Sequence, residues 1–307
     1  MSETQVQIPR RIITCNIMGG LGNQLFQIAT TIAYAIRTKC VFVFPYSIEV
    51  FKNRFSYWHS FLSSLRSFTT ENPKFGRTNT DLQYWAKYPE RAFHFTPIPG
   101  FDRSVFLQGY FQSYLYFEKE KDAFFQYIRL REQQEKIRAF YSDYFPENVI
   151  TISMHFRIGD YQFLPEYHPI LPFSYYQNAL DRLLPKVSDS SIYNNNKPIH
   201  ILYFCEKEDH EKVLQNILES LVYDRERVTL VHVEDQMEDW QQMLMMSLCD
   251  HHIIANSTFS WWGAYFHAYR VPMEDPMILY PSLWFGPALQ EKVVSDLFPK
   301  NWIKIEV

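Results

Sequence analysis

The sequence predicts an α/β protein of two Rossmann-like domains facing each other across a cleft, and three observations carry that expectation. The chain has 307 residues, more than one ordinary core fills, so two domains of about 150 residues are expected. It opens with a strand, a glycine turn, a helix and a second strand. Its second half alternates strands with helical periods, the pattern of a parallel sheet covered on both faces.

The elements follow in order. "RIITCNI" (11–17) is a buried strand, and "MGGLGNQ" is the turn after it. In "LFQIATTIAYAIRTK" (25–39), Leu25, Ile28, Ala29, Ile32, Ala33 and Ile36 recur at helical spacing on one face. "CVFVFP" (40–45) is a second strand, stopped by Pro45. Residues 50–105 are aromatic and proline-punctuated without a period, and read as mixed helix and loop. Residues 118–145 read as one or two helices before the break Pro146-Glu147-Asn148. That break sets the expected domains at 1–147 and 148–307.

Beyond it, "VITISMHF" is a strand and "FSYYQNALDRLL" (173–184) a helix. "PIHILYF" (198–204) is a strand, followed by a helix through "EDHEKVLQNILESL". "RVTLVHV" (227–233) is a strand, and "DWQQMLMMSL" (239–248) an amphipathic helix. "HHIIA" (251–255) is the last strand assigned, and "NSTFSWWGAYFHAY" turns from it into a helix. The polar stretch 188–198 reads as a surface loop.

Composition narrows the function. Thirty Lys plus Arg against 34 Asp plus Glu give a net charge of −4, so no long-range field draws the chain to nucleic acid or to an acidic membrane. An aromatic share of 18% suits a packed core and equally a sugar or nucleotide site. Cys15, Cys40, Cys205 and Cys249 are scattered without metal-ligand spacing, so reduced thiols are expected. "MSETQVQIPRR" has no apolar run and no stretch approaches a membrane span, so a soluble, cytoplasmic protein is expected.

Three stretches carry chemistry. In "GGLGNQ", Gly20-x-Gly22 begins a dinucleotide fingerprint, but Leu25 stands where its third glycine belongs. The acidic residue expected about 20 positions on is also missing, which disfavours NAD. A helix N-terminus with exposed N–H groups remains, with the amides of Asn23 and Gln24 beside it, or else a tight turn that packs helix on strand. In "MHFRIGDY" (154–161), Arg157 offers a planar fork of donors suited to a phosphate. His155 shares its face, Gly159 lets backbone approach a ligand, and Asp160 lies close to the cation. A structural ion pair explains the triplet equally well. In "IIANSTFSWWGA", a strand ends in Asn256-Ser257-Thr258, and Ser260 follows at a helix start. One N-cap needs one such residue; three exceed the need and suggest an anion site. The Arg157 and Ser257 stretches both fall at C-terminal strand ends of one parallel sheet, where such folds bind ligands. No metal-ligand cluster stands out, and His251 and His252 point to opposite faces of a strand.

Taken in order, "GGLGNQLFQ", His-x-Arg-x-Gly-Asp-Tyr at 155–161 and "NSTFSWWGA" at 256–264 resemble glycosyltransferase family 11, the α-1,2-fucosyltransferases. The resemblance implies a GT-B-like fold, with an N-terminal acceptor-side domain and a C-terminal domain that binds GDP-fucose. It implies an inverting, metal-independent transfer of L-fucose from GDP-β-L-fucose to the 2-hydroxyl of a terminal galactoside. GDP-fucose is then a co-substrate and no cofactor or metal is expected. Arg157 would hold the diphosphate and stabilise the departing charge, and His155 would contact donor phosphate or ribose. Ser257, Thr258 and Ser260, with Asn256, would form the phosphate turn, and Gly22, Asn23 and Gln24 would face the donor. Asp160 is the candidate base, or else it orients Arg157; Asp239 is the candidate guanine acceptor. Two departures stand out: Ile158 replaces a second arginine common in the family, and Cys205-Glu206-Lys207-Glu208-Asp209 replaces a Ser-Asp-Asp stretch. A transferase of another nucleotide sugar or linkage, or a non-catalytic sugar-nucleotide-binding module, are the alternatives.

Overall fold

A computed structural model of the chain describes residues 11–52, 54–189, 197–234, 236–269 and 276–307. The chain divides into two compact α/β units. One comprises residues 1–129 with 295–297, the other 130–294 with 298–307. The division therefore falls at Arg129/Leu130, ahead of the expected 147/148.

The first unit is built from β1 (Ile12–Cys15), α1 (Leu21–Arg37), β2 (Val41–Phe42), the antiparallel hairpin β3 (Glu49–Phe51) and β4 (Arg54–Phe55), α2 (Asn79–Gln83), β5 (Ala86–Pro89), β6 (Val105–Gln108) and α3 (Lys121–Tyr127). Its parallel sheet runs β2-β1-β6-β5. Strands β5 and β6 occupy the region read as helix and loop. Four residues each are too short to show a period, and Pro89 argues against a central strand but fits β5 at the sheet edge. Helix α1 starts at Leu21, four residues before the periodic run, because Gly19 takes φ +80° and Gly20 serves as N-cap. Leu25, Ile28, Ala29, Ile32 and Ala33 are fully buried as expected, whereas Ile36, in the last turn, is 39% exposed.

The second unit begins with α4 (Leu130–Phe140), separated from α3 by Ile128 and by Arg129 at φ +51°. Its Gln134 donates to Ser247 Oγ at 2.8 Å, docking α4 onto this unit. That contact explains why the boundary precedes α4. The rest follows as β7 (Ile150–His155), α5 (Phe173–Asp189), β8 (Ile199–Phe204), α6 (His210–Asn216), β9 (Val228–His232), α7 (Asp239–Leu248), β10 (His251–Ile253), α8 (Thr258–Tyr265), β11 (Ile278–Pro281) and β12 (Ile303–Ile305). Strands β11 and β12 carry no sequence assignment above. Helix α5 continues past its expected end at 184 and contains Pro185, with Leu183 and Val187 both buried.

This sheet is parallel throughout, in the order β12-β11-β10-β7-β8-β9. Strand β7 lies inside it and is buried at every residue. Ile150, Ile152 and Met154 pack in the core with Tyr175, Ala179, Leu180 and Leu183 of α5. Each buried Ile, Leu or Met side chain among them contributes roughly 1.5–3 kcal/mol by leaving water. The opposite face is a polar stripe, Thr151, Ser153 and His155. Thr151 Oγ1 donates to Asp250 at 2.9 Å, and Ser153 Oγ lies 2.7 Å from His252 Nδ1.

The chain runs outward from β7 through β8 to β9, then returns to β10 on the other side of β7. The strand order therefore reverses between β7 and β10, and their C-terminal ends form the switch point where open parallel sheets take ligands. All four cysteines are free thiols, three of them buried, and burial pushes the Cys15 thiol up to about 12. Among the described residues, no helix is long and apolar enough to cross a membrane.

Candidate active site

The switch point is flanked by residues 155–161 on one side and 255–260 on the other. His155, the last residue of β7, is 7% exposed, and its Nδ1 is buried without a hydrogen-bond partner. Burial, helped by the neighbouring charge of Arg157, lowers its pKa to about 3. It is therefore a neutral imidazole, and its ring lies 5.6 Å from that of Phe259 at the start of α8.

Arg157 sits two residues beyond, and three groups hold its guanidinium. Nη2 donates to Asp160 Oδ1 at 2.5 Å, Nη1 donates to Glu206 Oε1, and the cation lies 5.2 Å from the ring centre of Tyr161. The loop turns at Gly159, with φ +28° and an N–H that donates to Asp209 Oδ2 at 2.6 Å. That positive φ would strain any other residue, and a Cβ at Gly159 would also displace the Glu206 carboxylate, so the turn favours glycine. Ile158 is 9% exposed and belongs to the core around β7.

Across the crevice, Asn256 is 2% exposed and donates from Nδ2 to the Pro169 carbonyl at 2.8 Å, while its Oδ1 is buried without a partner. Tyr161 Oη donates to the Asn256 carbonyl at 3.1 Å, linking the two strand ends. Ser257 is the N-cap of α8, accepting from the Phe259 N–H at 3.3 Å. The cap explains Ser257 alone. Ser260, 1% exposed, donates inward to the Ser257 carbonyl at 3.3 Å, and Thr258 is half-buried as the first helical residue.

The rest of this motif is packing. Trp261 and Trp262 are fully buried, Trp261 stacking on Tyr265 at 4.6 Å and Trp262 lying 5.2 Å from Phe266. At Gly263 an added Cβ would come within 2.9 Å of Met246 Cβ, so glycine here sets how closely α8 approaches α7.

The remaining sequence-predicted residues lie elsewhere. Asp239 is exposed at the start of α7, beyond β9, which is two strands from β7 in the sheet. Its Oδ1 accepts from the Trp240 N–H at 2.7 Å. Gly22, Asn23 and Gln24 belong to the first unit and lie within the first turn of α1 rather than ahead of it. Asn23 Oδ1 accepts from Gln112 Nε2 at 2.8 Å. Gln24 Nε2 donates to the carbonyls of Gly19 at 3.0 Å and Phe55 at 2.8 Å. Its Oε1 is buried without a partner. Those amides, with Gln27 bonded to both N–H and carbonyl of Met18, hold the glycine turn in shape.

Nothing local in the sequence ties Glu206, Asp209 or Tyr161 to the Arg157 loop in the way these contacts do. The signal for the first two was their place directly after β8, but which strand end lies beside Arg157 is a property of sheet order. Among the described residues, no cluster of His, Cys, Asp and Glu is arranged to hold a metal ion.

The comparisons with known proteins bear on the whole chain. It aligns with an α-1,2-colitosyltransferase of Escherichia coli at 26% identity, over 96% of this chain and 99% of that protein. It aligns with the O-antigen biosynthesis glycosyltransferase WbnK of Escherichia coli at 27% identity, over 65% of this chain and 60% of that protein. Among solved structures it is similar to POFUT1 in complex with GDP, with 14% identity, TM-score 0.47, and coverage of 88% of this chain and 98% of that one. It is also similar to the fucosyltransferase NodZ from Bradyrhizobium, with 13% identity, TM-score 0.43, and coverage of 83% and 92%. The sequence model of Glycosyl transferase family 11 matches residues 3–306, and the chain belongs to that family.

Proposed function

We propose that the protein transfers L-fucose from GDP-β-L-fucose to the 2-hydroxyl of a terminal galactoside, with inversion and without a metal ion. The observation that carries this reading is Arg157 just beyond the end of β7, with the Ser257 cap of α8 just beyond the end of the neighbouring β10, at the switch point of the sheet. The diphosphate lies there, held by the free N–H groups of Arg157 and by the first amides and hydroxyls of α8. His155, neutral and with an unpartnered ring nitrogen, contacts donor phosphate or ribose.

The reaction is a single displacement. The bond between fucose C1 and the β-phosphate oxygen breaks as the acceptor 2-oxygen bonds to C1 from the opposite face. Negative charge grows on the departing GDP, where Arg157 and the α8 N-terminus oppose it. No metal is needed if these groups meet that charge. The acceptor proton passes to a base, with Asp160 the candidate. Its ion pair with Arg157 gives it an orienting role as well. Asp239 is assigned to the guanine edge, and Gly22, Asn23 and Gln24 to the donor-facing side of the first unit.

A second reading has its own support. The α-1,2-colitosyltransferase aligned over 96% of the chain favours a colitosyl donor with the same linkage. Both are tested by offering GDP-fucose and GDP-colitose to a panel of galactosides with EDTA present. GDP release is followed and the product linkage mapped. A 2-linked fucoside supports the first reading, and preference for GDP-colitose the second. Turnover abolished by EDTA contradicts metal independence.

A further inference from the structure

The strand-end segment 206–212 has no part in the mechanism above, yet it carries much of the loop that presents Arg157. Three contacts join the two, and one further bond lies within the loop itself. Arg157 donates to Glu206, the Gly159 N–H donates to Asp209 at 2.6 Å, Gln162 Nε2 donates to the Gly159 carbonyl at 2.8 Å, and Lys212 Nζ donates to Gln162 Oε1 at 3.2 Å. Lys212 also lies 3.5 Å from Asp209, which is 2% exposed. Asp160 and Tyr161 move with Arg157 because they share its loop. Glu206 does not. It follows β8, which pairs with β7 along its whole length, so it ties the guanidinium to the sheet itself.

A guanidinium has five N–H donors. One goes to Asp160 and one to Glu206, leaving enough for a bidentate phosphate contact with both carboxylates still in place. The charges, however, do not balance: two carboxylates face one cation, and an incoming diphosphate meets a negative site. A carboxylate here weakens the resting attraction for the donor while fixing the plane of the fork that must meet the departing oxygen. Interactions that act only as charge develops raise turnover rather than affinity.

We infer that Glu206 is the positioning residue for Arg157, holding its guanidinium plane for the departing diphosphate at the expense of donor affinity. This rests on Arg157 being the diphosphate ligand.

The test compares Glu206→Ala and Glu206→Gln with wild type. Binding of GDP is measured by calorimetry, kcat and KM with the best donor, and melting temperature in parallel. Loss of charge tightens GDP binding about 2- to 5-fold in both variants. Turnover falls at least about 10-fold in Glu206→Ala and less in Glu206→Gln, which keeps an oxygen to accept from Arg157. Affinity and turnover thus move in opposite directions. Wild-type turnover in Glu206→Ala overturns the inference. So does a parallel loss of affinity, turnover and melting temperature, which is the signature of a merely structural contact. Wild-type protein that binds no GDP overturns the reading of the site itself, a result visible before any variant is made.

Discussion

Arg157 and Glu206 lie 49 positions apart in sequence and are joined by an ion pair across the ends of two adjacent strands, β7 and β8. That pair, with Asp160 on the other side, gives the guanidinium a fixed plane at the point where the sheet reverses its order.

Arg157→Ala removes the charge that meets the departing GDP. A preorganised donor of this kind is worth about 100- to 1,000-fold in kcat, so turnover falls by at least that factor. Arg157→Lys recovers little, since a point charge cannot hold a phosphate with two parallel bonds. Steady-state kinetics with far-ultraviolet circular dichroism check that activity, and not the fold, is lost.

Ser257 separates two roles by its own substitutions. As an N-cap, Ser257→Ala costs about 1 kcal/mol of stability and Ser257→Gly only a few tenths. If its hydroxyl also meets the diphosphate, both variants lose GDP affinity to the same extent, about 5-fold or more. Urea unfolding paired with GDP calorimetry reads the two quantities independently.

Acid should weaken the fold through two buried imidazoles. Burial lowers the pKa of His155 to about 3, with Arg157 adding to it, and lowers that of His251 to about 4. Both lie below the ordinary value near 6.5, so the unfolded chain takes up protons that the native chain refuses. Stability from each group is full above about pH 6.5 and falls as pH drops toward the folded value, with a limiting slope of about 1.4 kcal/mol per pH unit per group. Melting temperature should be flat between pH 7 and 8 as far as these groups act, then decline below about pH 6. His155→Asn should make that decline shallower.

Gly263→Ala forces a methyl against Met246, where α8 meets α7. Overpacking of this kind costs about 1–3 kcal/mol, and the shift should carry the Ser257 end of α8 with it. Denaturant unfolding should show the loss, and a weaker GDP affinity should accompany it. Met246→Ala in the same chain makes room and should restore part of both.

Much of this was legible from residues alone. Period 2 placed His155 and Arg157 on one face, and alternation of strands with helices gave the parallel sheet of the second unit. Where period was too short to read, the sequence was silent: four-residue β5 and β6, and β11 and β12 beyond the last assigned helix. The break at Pro146 looked like a boundary, but Gln134 docks α4 onto α7, a contact over 113 positions that no local pattern encodes. Asn23 and Gln24, read from the sequence as ligand-facing, also bond within the first unit, Asn23 to Gln112 and Gln24 to the carbonyls of Gly19 and Phe55, partners that no local pattern encodes. Glu206 was visible only as a departure from a familiar stretch, since its partner is set by which strands are neighbours.

The most direct measurement is a crystal structure of the protein with GDP. The account predicts the diphosphate at the β7/β10 switch point, within hydrogen-bond distance of the Arg157 guanidinium and of the first residues of α8, with Glu206 still paired to Arg157. A diphosphate bound anywhere else, such as at the N-terminus of α1 beyond Gly20, with Arg157 untouched, would contradict it.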